Sequence, residues 1–159
     1  MIDPYLTVKW AHILSSTVLF GTGIGTAFQM VWAMRRGDPQ QVEGVASGVV
    51  LADWIFTTPA GVIQPATGLW LTWYLGYPLN APWLILTYAL YLLAFLCWAP
   101  VVHLQIRIRD LAREAANTGS SLPPEASRAY RIWFALGWPA FGALIVIFWL
   151  MVTKPPLWG

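Results

Sequence analysis

Apolar residues in this chain fall into four long blocks, at about 10–34, 49–75, 83–106 and 132–153, separated by short polar stretches. Each block reaches the ~20 helical residues needed to cross a hydrocarbon core. None shows the alternating pattern in ~10-residue segments that marks a transmembrane β-barrel strand. Backbone groups in lipid must be paired internally. The pattern therefore predicts an all-α, polytopic membrane protein, a four-transmembrane-helix bundle, with residues 1–159 as one transmembrane domain.

Composition agrees with this reading. Hydrophobic residues make up 58% of the 159 residues and charged residues 10%, with a mean hydropathy of +0.59; soluble domains carry roughly 25% charged residues. What lies between the blocks is too short for a soluble domain.

Charge sets the expected orientation. Arg35 and Arg36 follow the first block, and Arg107, Arg109, Arg113, Arg128 and Arg131 flank the connection between the third and fourth, which accounts for seven of the nine Lys and Arg. Lys9 and Lys154 lie at the opposite ends, and the Gly76-Tyr77-Pro78-Leu79-Asn80 turn has no basic residue. The positive-inside rule then places both basic loops in the cytoplasm and both termini on the periplasmic side of a bacterial inner membrane. The net charge of +2 is loop asymmetry and not a nucleic-acid footprint. Membrane lipids are the expected surroundings, with no nucleic-acid partner.

Local signals punctuate the chain. Asp38 is placed to cap a helix with Pro39 in its first turn, after Gly37 ends the previous one. The second helix is expected to run through Gln40–Gly48 as a polar extension, and the third to overrun into Asp110–Asn117. Residues 118–124 are linker-like, and Pro155-Pro156 ends the fourth helix. Trp10, Trp73, Trp83 and Trp158 fall at the expected outer boundary, where indoles anchor. The N-terminus lacks the basic n-region and cleavage site of a secretory signal, so the first span is expected to be retained. The single cysteine, Cys97, lies within a span and excludes an intrachain disulfide or a Cys-based cluster.

Two features carry chemistry. In the first span Lys9 and His12 stand one turn apart, and ionisable groups at membrane depth are costly and usually functional. At about 100° per residue, Ser16, Leu19, Gly23 and Thr26 share the face of His12. This mostly small strip either leaves room for a flat ligand or lets helices pack closely. Gly21 and Gly25 lie almost opposite and suit a helix contact or a homo-oligomer face. In the second span Asp53, Thr57, Gly61, Gln64 and Gly68 form a polar seam with Thr67 beside it, to be turned inward, either as a site or as interhelical hydrogen bonding. Arg35, Arg36 or Arg107 are the expected partners of Asp53. Pro59 and Pro65 each remove an amide donor and free carbonyls for Thr or Gln side chains.

His103 lies about 20 residues into the third span, too far in depth from His12 to share one iron. Met151 is the better-placed second ligand, although packing is its plainer role. The copper reading is disfavoured because Met30 and Met34 lie far from His12. No phosphate-binding loop, Cys-x-x-Cys-His attachment, His-Glu-x-x-His pair or Ser/His/Asp set is present, which excludes attached c-type haem.

Across nearly its whole length the chain resembles a family of bacterial integral membrane proteins of unknown function, through Gly21-Thr22-Gly23-Ile24-Gly25-Thr26-Ala27-Phe28, Ala52-Asp53-Trp54-Ile55-Phe56-Thr57-Thr58-Pro59-Ala60, Gln64-Pro65 and Thr67-Gly68. More distantly, the Lys9-x-x-His12-Ile13 opening looks like the membrane protoporphyrinogen oxidase of the Hem-J type and the copper-resistance D family. In the former, the matching histidine is associated with haem b. Two departures limit the likeness: the oxidase type has a functional lysine on its third span and a Leu-Pro-Arg element in its first, and both are missing here.

The resemblance implies haem b with His12 as the metal ligand; Ser16 and Gly23 lie on the same face, Lys9 is placed to snorkel toward a propionate or a lipid phosphate, and Gln64 with Thr67 is placed to line the other side of the pocket. A redox role on a lipid-soluble quinol or porphyrinogen follows from the same likeness. The alternative is a non-enzymatic protein, a small permease, metal-handling protein or accessory subunit using the stripe from Asp53 to Gln64.

Overall fold

A computed structural model describes residues 3–157, which form helices and turns with no strand. The first helix, α1, spans Pro4–Arg36. The second span consists of α2, Pro39–Ala52, a π-helical turn, Asp53–Thr57, and α3, Thr58–Tyr74. The third and fourth are α4, Pro82–Thr118, and α5, Pro124–Thr153. All four spans are long and apolar enough to cross a membrane. The helices outrun the apolar blocks: α4, at 37 residues, is about 55 Å long at ~1.5 Å per residue, so its arginine-rich end projects beyond a ~30 Å hydrocarbon core.

Helix ends follow the local signals. Asp3 caps α1 by accepting from the Tyr5 amide at 2.9 Å, with Pro4 in the first turn. Gly37, at φ +71°, ends α1 by donating to the Ala33 carbonyl. Its left-handed backbone costs glycine nothing. Asp38 then accepts from the Gln40 amide at 3.3 Å, with Pro39 opening α2 as expected. Two intervening residues make α1 and α2 antiparallel neighbours.

The π turn has a cause in the sequence. Pro59 has no amide to offer the Ile55 carbonyl, and its ring clashes with that group in a regular helix. The chain widens immediately before it, and the Thr58 amide reaches back five residues to the Asp53 carbonyl. Pro65 similarly leaves the Gly61 carbonyl without its helical donor. The Tyr91 hydroxyl of α4 donates to that carbonyl. This corrects the expectation that Thr or Gln would take that role, and it pins α3 to α4. Tyr91→Phe is expected to lower stability by roughly 0.5–1.5 kcal/mol, read as a lower thermal midpoint in detergent. An unchanged midpoint would mean that the bond carries no weight.

The main core lies toward the arginine-rich end, where all four spans meet. Met30 and Ala33 of α1, Val42, Ala46 and Val49 of α2, Ile108 and Ala112 of α4, and Ala129 and Trp133 of α5 form one buried cluster. Ala33, Ala46, Ala112 and Ala129 give each span one small residue in this cluster, which lets the helices approach closely. Outside this core, Arg113 binds Glu43 at 2.9 Å and joins α4 to α2. A second, smaller cluster joins Ala81, Trp83 and Leu84 to Leu150 at the other end.

Trp83 is therefore a core residue, 7% exposed. The interface-anchor expectation fails for it because it packs against Leu150 and edge-on to Tyr77. Trp10 and Trp73 are exposed and suit that role, whereas Trp158 lies outside the described residues. Met151 packs against the same cluster, as its plainer reading held. Gly21 and Gly25 have open space where a side chain would stand, leaving that face of α1 uncovered by this chain.

Candidate functional site

The closest association of α1 with α3 brings His12 against the polar seam. Gly68 makes this possible: a Cβ there would stand 3.1 Å from His12 Cε1, so the imidazole lies almost on the α3 backbone. Both ring nitrogens are engaged by α3. Nδ1 lies 2.8 Å from Thr67 Oγ1, and Nε2 lies 3.2 Å from Gln64 Nε2.

The surrounding bonds fix the tautomer. Thr67 spends its hydroxyl hydrogen on the Ile63 carbonyl at 2.7 Å, so its oxygen accepts from His12 Nδ1–H. Nε2 then carries the lone pair and accepts from the Gln64 amide. Gln64 is oriented by Ser15, whose hydroxyl bonds its Oε1 and lies 3.0 Å from the His12 carbonyl oxygen. Ser15, His12, Gln64 and Thr67 are thus one network across two helices, with the imidazole neutral and turned by a second-layer hydrogen bond.

The expected site residues separate into two groups. His12, Gln64 and Thr67 meet, and Ser16 stands beside them, lining with Gln64 a cavity of about 20 Å³ closed by Leu19, Tyr91 and Phe148. That volume holds one water molecule. Lys9 points away, its Nζ 5.5 Å from the Tyr5 ring centre. Gly23 does not border a ligand space, since a Cβ there would lie 3.2 Å from the Phe141 ring, which fills the strip from α5. His103 is exposed. Sequence reasoning missed Ser15 and Tyr91. Three residues from His12, Ser15 lies on its face as closely as an i+3 spacing allows, and Tyr91 answers the carbonyl that Pro65 frees.

Asp53 stands apart, about 11 residues or roughly 16 Å along the helix from Gln64. It is 5% exposed. Thr57, Gln105 and Trp98 face its carboxyl. Ion pairs among the described residues join Arg109 to Asp110 and Arg113 to Glu43, so neither Arg35, Arg36 nor Arg107 pairs with it.

Four membrane-length helices, a polar seam turned inward and half-buried around Gln64 and Thr67, and an imidazole within the first span define the kind of protein. Residues 6–155 match the family described as predicted integral membrane protein (DUF2269). The chain belongs to this family. Its motifs around Gly21–Phe28 and Ala52–Ala60 fall inside the matched region. No curated protein and no solved structure matches the chain. These comparisons give no support to a likeness to the Hem-J-type oxidase or copper-resistance D proteins.

Proposed function

We propose that this integral membrane protein binds haem b through His12 Nε2 and serves as a redox protein of the bacterial inner membrane, with both termini on the periplasmic side. The observation that carries the reading is that Thr67, its own hydrogen directed to the Ile63 carbonyl, stands 2.8 Å from His12 Nδ1. A ligating histidine characteristically donates its other ring N–H to a fixed acceptor, which orients the ring and raises its basicity. Thr67 supplies that acceptor, and Nε2 keeps the lone pair that iron requires.

The donor chemistry thus fits haem, with His12 as ligand and Gln64 and Ser16 beside it. Bound there, haem would supply one-electron chemistry toward a lipid-soluble quinol or porphyrinogen. The residues of the chain hold the imidazole neutral and aim it, while the adjoining cavity of about 20 Å³ has no room for a porphyrin with the helices as they stand. Binding also requires the Gln64 amide to leave Nε2, and α1 to stand further from α5 than it does here. Contact between those two helices is slight, chiefly Phe20 and Gly23 against Phe141 and Phe148.

A second reading has its own observation. Gln64 caps Nε2 and Ser15 caps Gln64, so the network closes on itself and can serve as a clasp between α1 and α3 in a non-enzymatic permease or accessory subunit.

Absorption spectra of detergent-purified protein, oxidised and then dithionite-reduced, separate the two. The haem reading expects a Soret band with reduced α and β bands, lost in His12→Ala and kept in His103→Ala. Absence of a Soret band from haem-replete cells would sink it and leave the clasp.

A further inference from the structure

The second buried site is independent of His12. Asp53 sits in the π turn, and such turns recur at functional positions because they break the regular side-chain register. Asp53, Thr57 and Gln105 are 5%, 9% and 3% exposed. Thr57, Gln105 and Trp98 stand around the Asp53 carboxyl, yet Asp53 Oδ2, Thr57 Oγ1, Gln105 Oε1 and Trp98 Nε1 have no hydrogen bond of ordinary geometry. Orphaned polar atoms are rare in folded proteins, and a carboxyl oxygen with three more on the side chains around it requires an explanation.

An ionised aspartate is acceptor-only, and the groups around it, the Thr57 hydroxyl, the Gln105 amide and the Trp98 indole, are all neutral. The groups against the carboxyl are Thr57 from its own turn and Trp98 and Gln105 from α4; no charged side chain of α1 to α5 stands against it. A buried carboxylate with no countercharge at membrane depth is strongly disfavoured. A single proton on the carboxyl removes that charge and leaves the other carboxyl oxygen to accept from Trp98 Nε1–H or Thr57 Oγ1–H.

We propose that Asp53, framed by Thr57, Trp98 and Gln105, is an intramembrane proton-binding site, a carboxylic acid that holds one exchangeable proton inside the bundle at neutral pH. Its proton lies where α4 packs against the second span.

Infrared spectroscopy of the intact protein at neutral pH tests this directly. The protein contains four aspartates, and the other three, Asp3, Asp38 and Asp110, are exposed. A protonated-carboxyl C=O band that shifts with ¹³C-aspartate labelling and in D₂O, and is lost in Asp53→Asn, is the expected result. The labelled wild type gives the answer even where the variant fails to fold. No such band would mean that the carboxylate is ionised and would overturn the proposal. A thermal midpoint that rises with NaCl but not with choline chloride, and loses this dependence in Asp53→Asn, would also overturn it, assigning the site to a metal cation.

Discussion

Thr67→Val is expected to weaken haem binding by about 10–100-fold, the usual cost of losing the partner of a ligating imidazole, whereas Gln64→Ala is expected to strengthen it. The opposite signs follow from the two ends of one ring. Thr67 holds the Nδ1 hydrogen and so keeps the lone pair on Nε2. Valine has similar bulk and no acceptor. The ring then gains freedom to rotate and to take the other tautomer, in which Nε2 bears the hydrogen.

Gln64 acts on the opposite nitrogen. Its amide occupies Nε2, so iron must displace a hydrogen bond worth about 0.5–1.5 kcal/mol. Removing that competitor is expected to tighten binding by roughly 2–10-fold, at about 1.4 kcal/mol per tenfold. Titration of haem-depleted protein with haemin, followed at the Soret band, measures both changes. Equal weakening by the two substitutions would show that the network acts only as a clasp and would remove the support that the tautomer gives to the haem reading.

Ile108→Ala is expected to cost about 2–5 kcal/mol, the range for truncating a fully buried aliphatic side chain. Ile108 is 0% exposed and belongs to the one cluster that draws residues from all four spans. Four of its eight buried partners there are alanines, which have no side-chain freedom to collapse into a void. Toward the other end, α4 and α5 are held by a smaller cluster, and α1 meets α5 chiefly through aromatic edges. The core at the arginine-rich end therefore carries most of the cohesion of the bundle. A thermal or denaturant titration in detergent checks this, with Val152→Ala on the exposed face as a control expected to change little. Equal losses from both substitutions would place the cohesion elsewhere.

The four spans were legible because hydrocarbon imposes a length and an apolar composition that few other environments demand, and the caps at Asp38 and Gly37 because they depend on a few adjacent residues. The inward seam was legible for the same reason, since Gln64 and Thr67 cannot be satisfied by lipid. Their meeting with His12 needed more. Gly68 had to face the imidazole, which depends on how α1 and α3 are rotated against each other.

Partner choice was the part that a periodic pattern does not contain. Sequence offered Asp53 three arginines, and the structure gives it Thr57, Gln105 and Trp98. It offered the Gly61 carbonyl a Thr or Gln, and Tyr91 of the next span donates to it. It offered Gly23 to a flat ligand, and Phe141 fills the space. In each case the nearest group is set by the packing angle and axial register between helices distant in sequence. The sequence by itself determined which residues must avoid lipid, because that is a property of each side chain and its solvent. Only the tertiary structure decided what each of them meets, because lipid expels a polar group without specifying its partner.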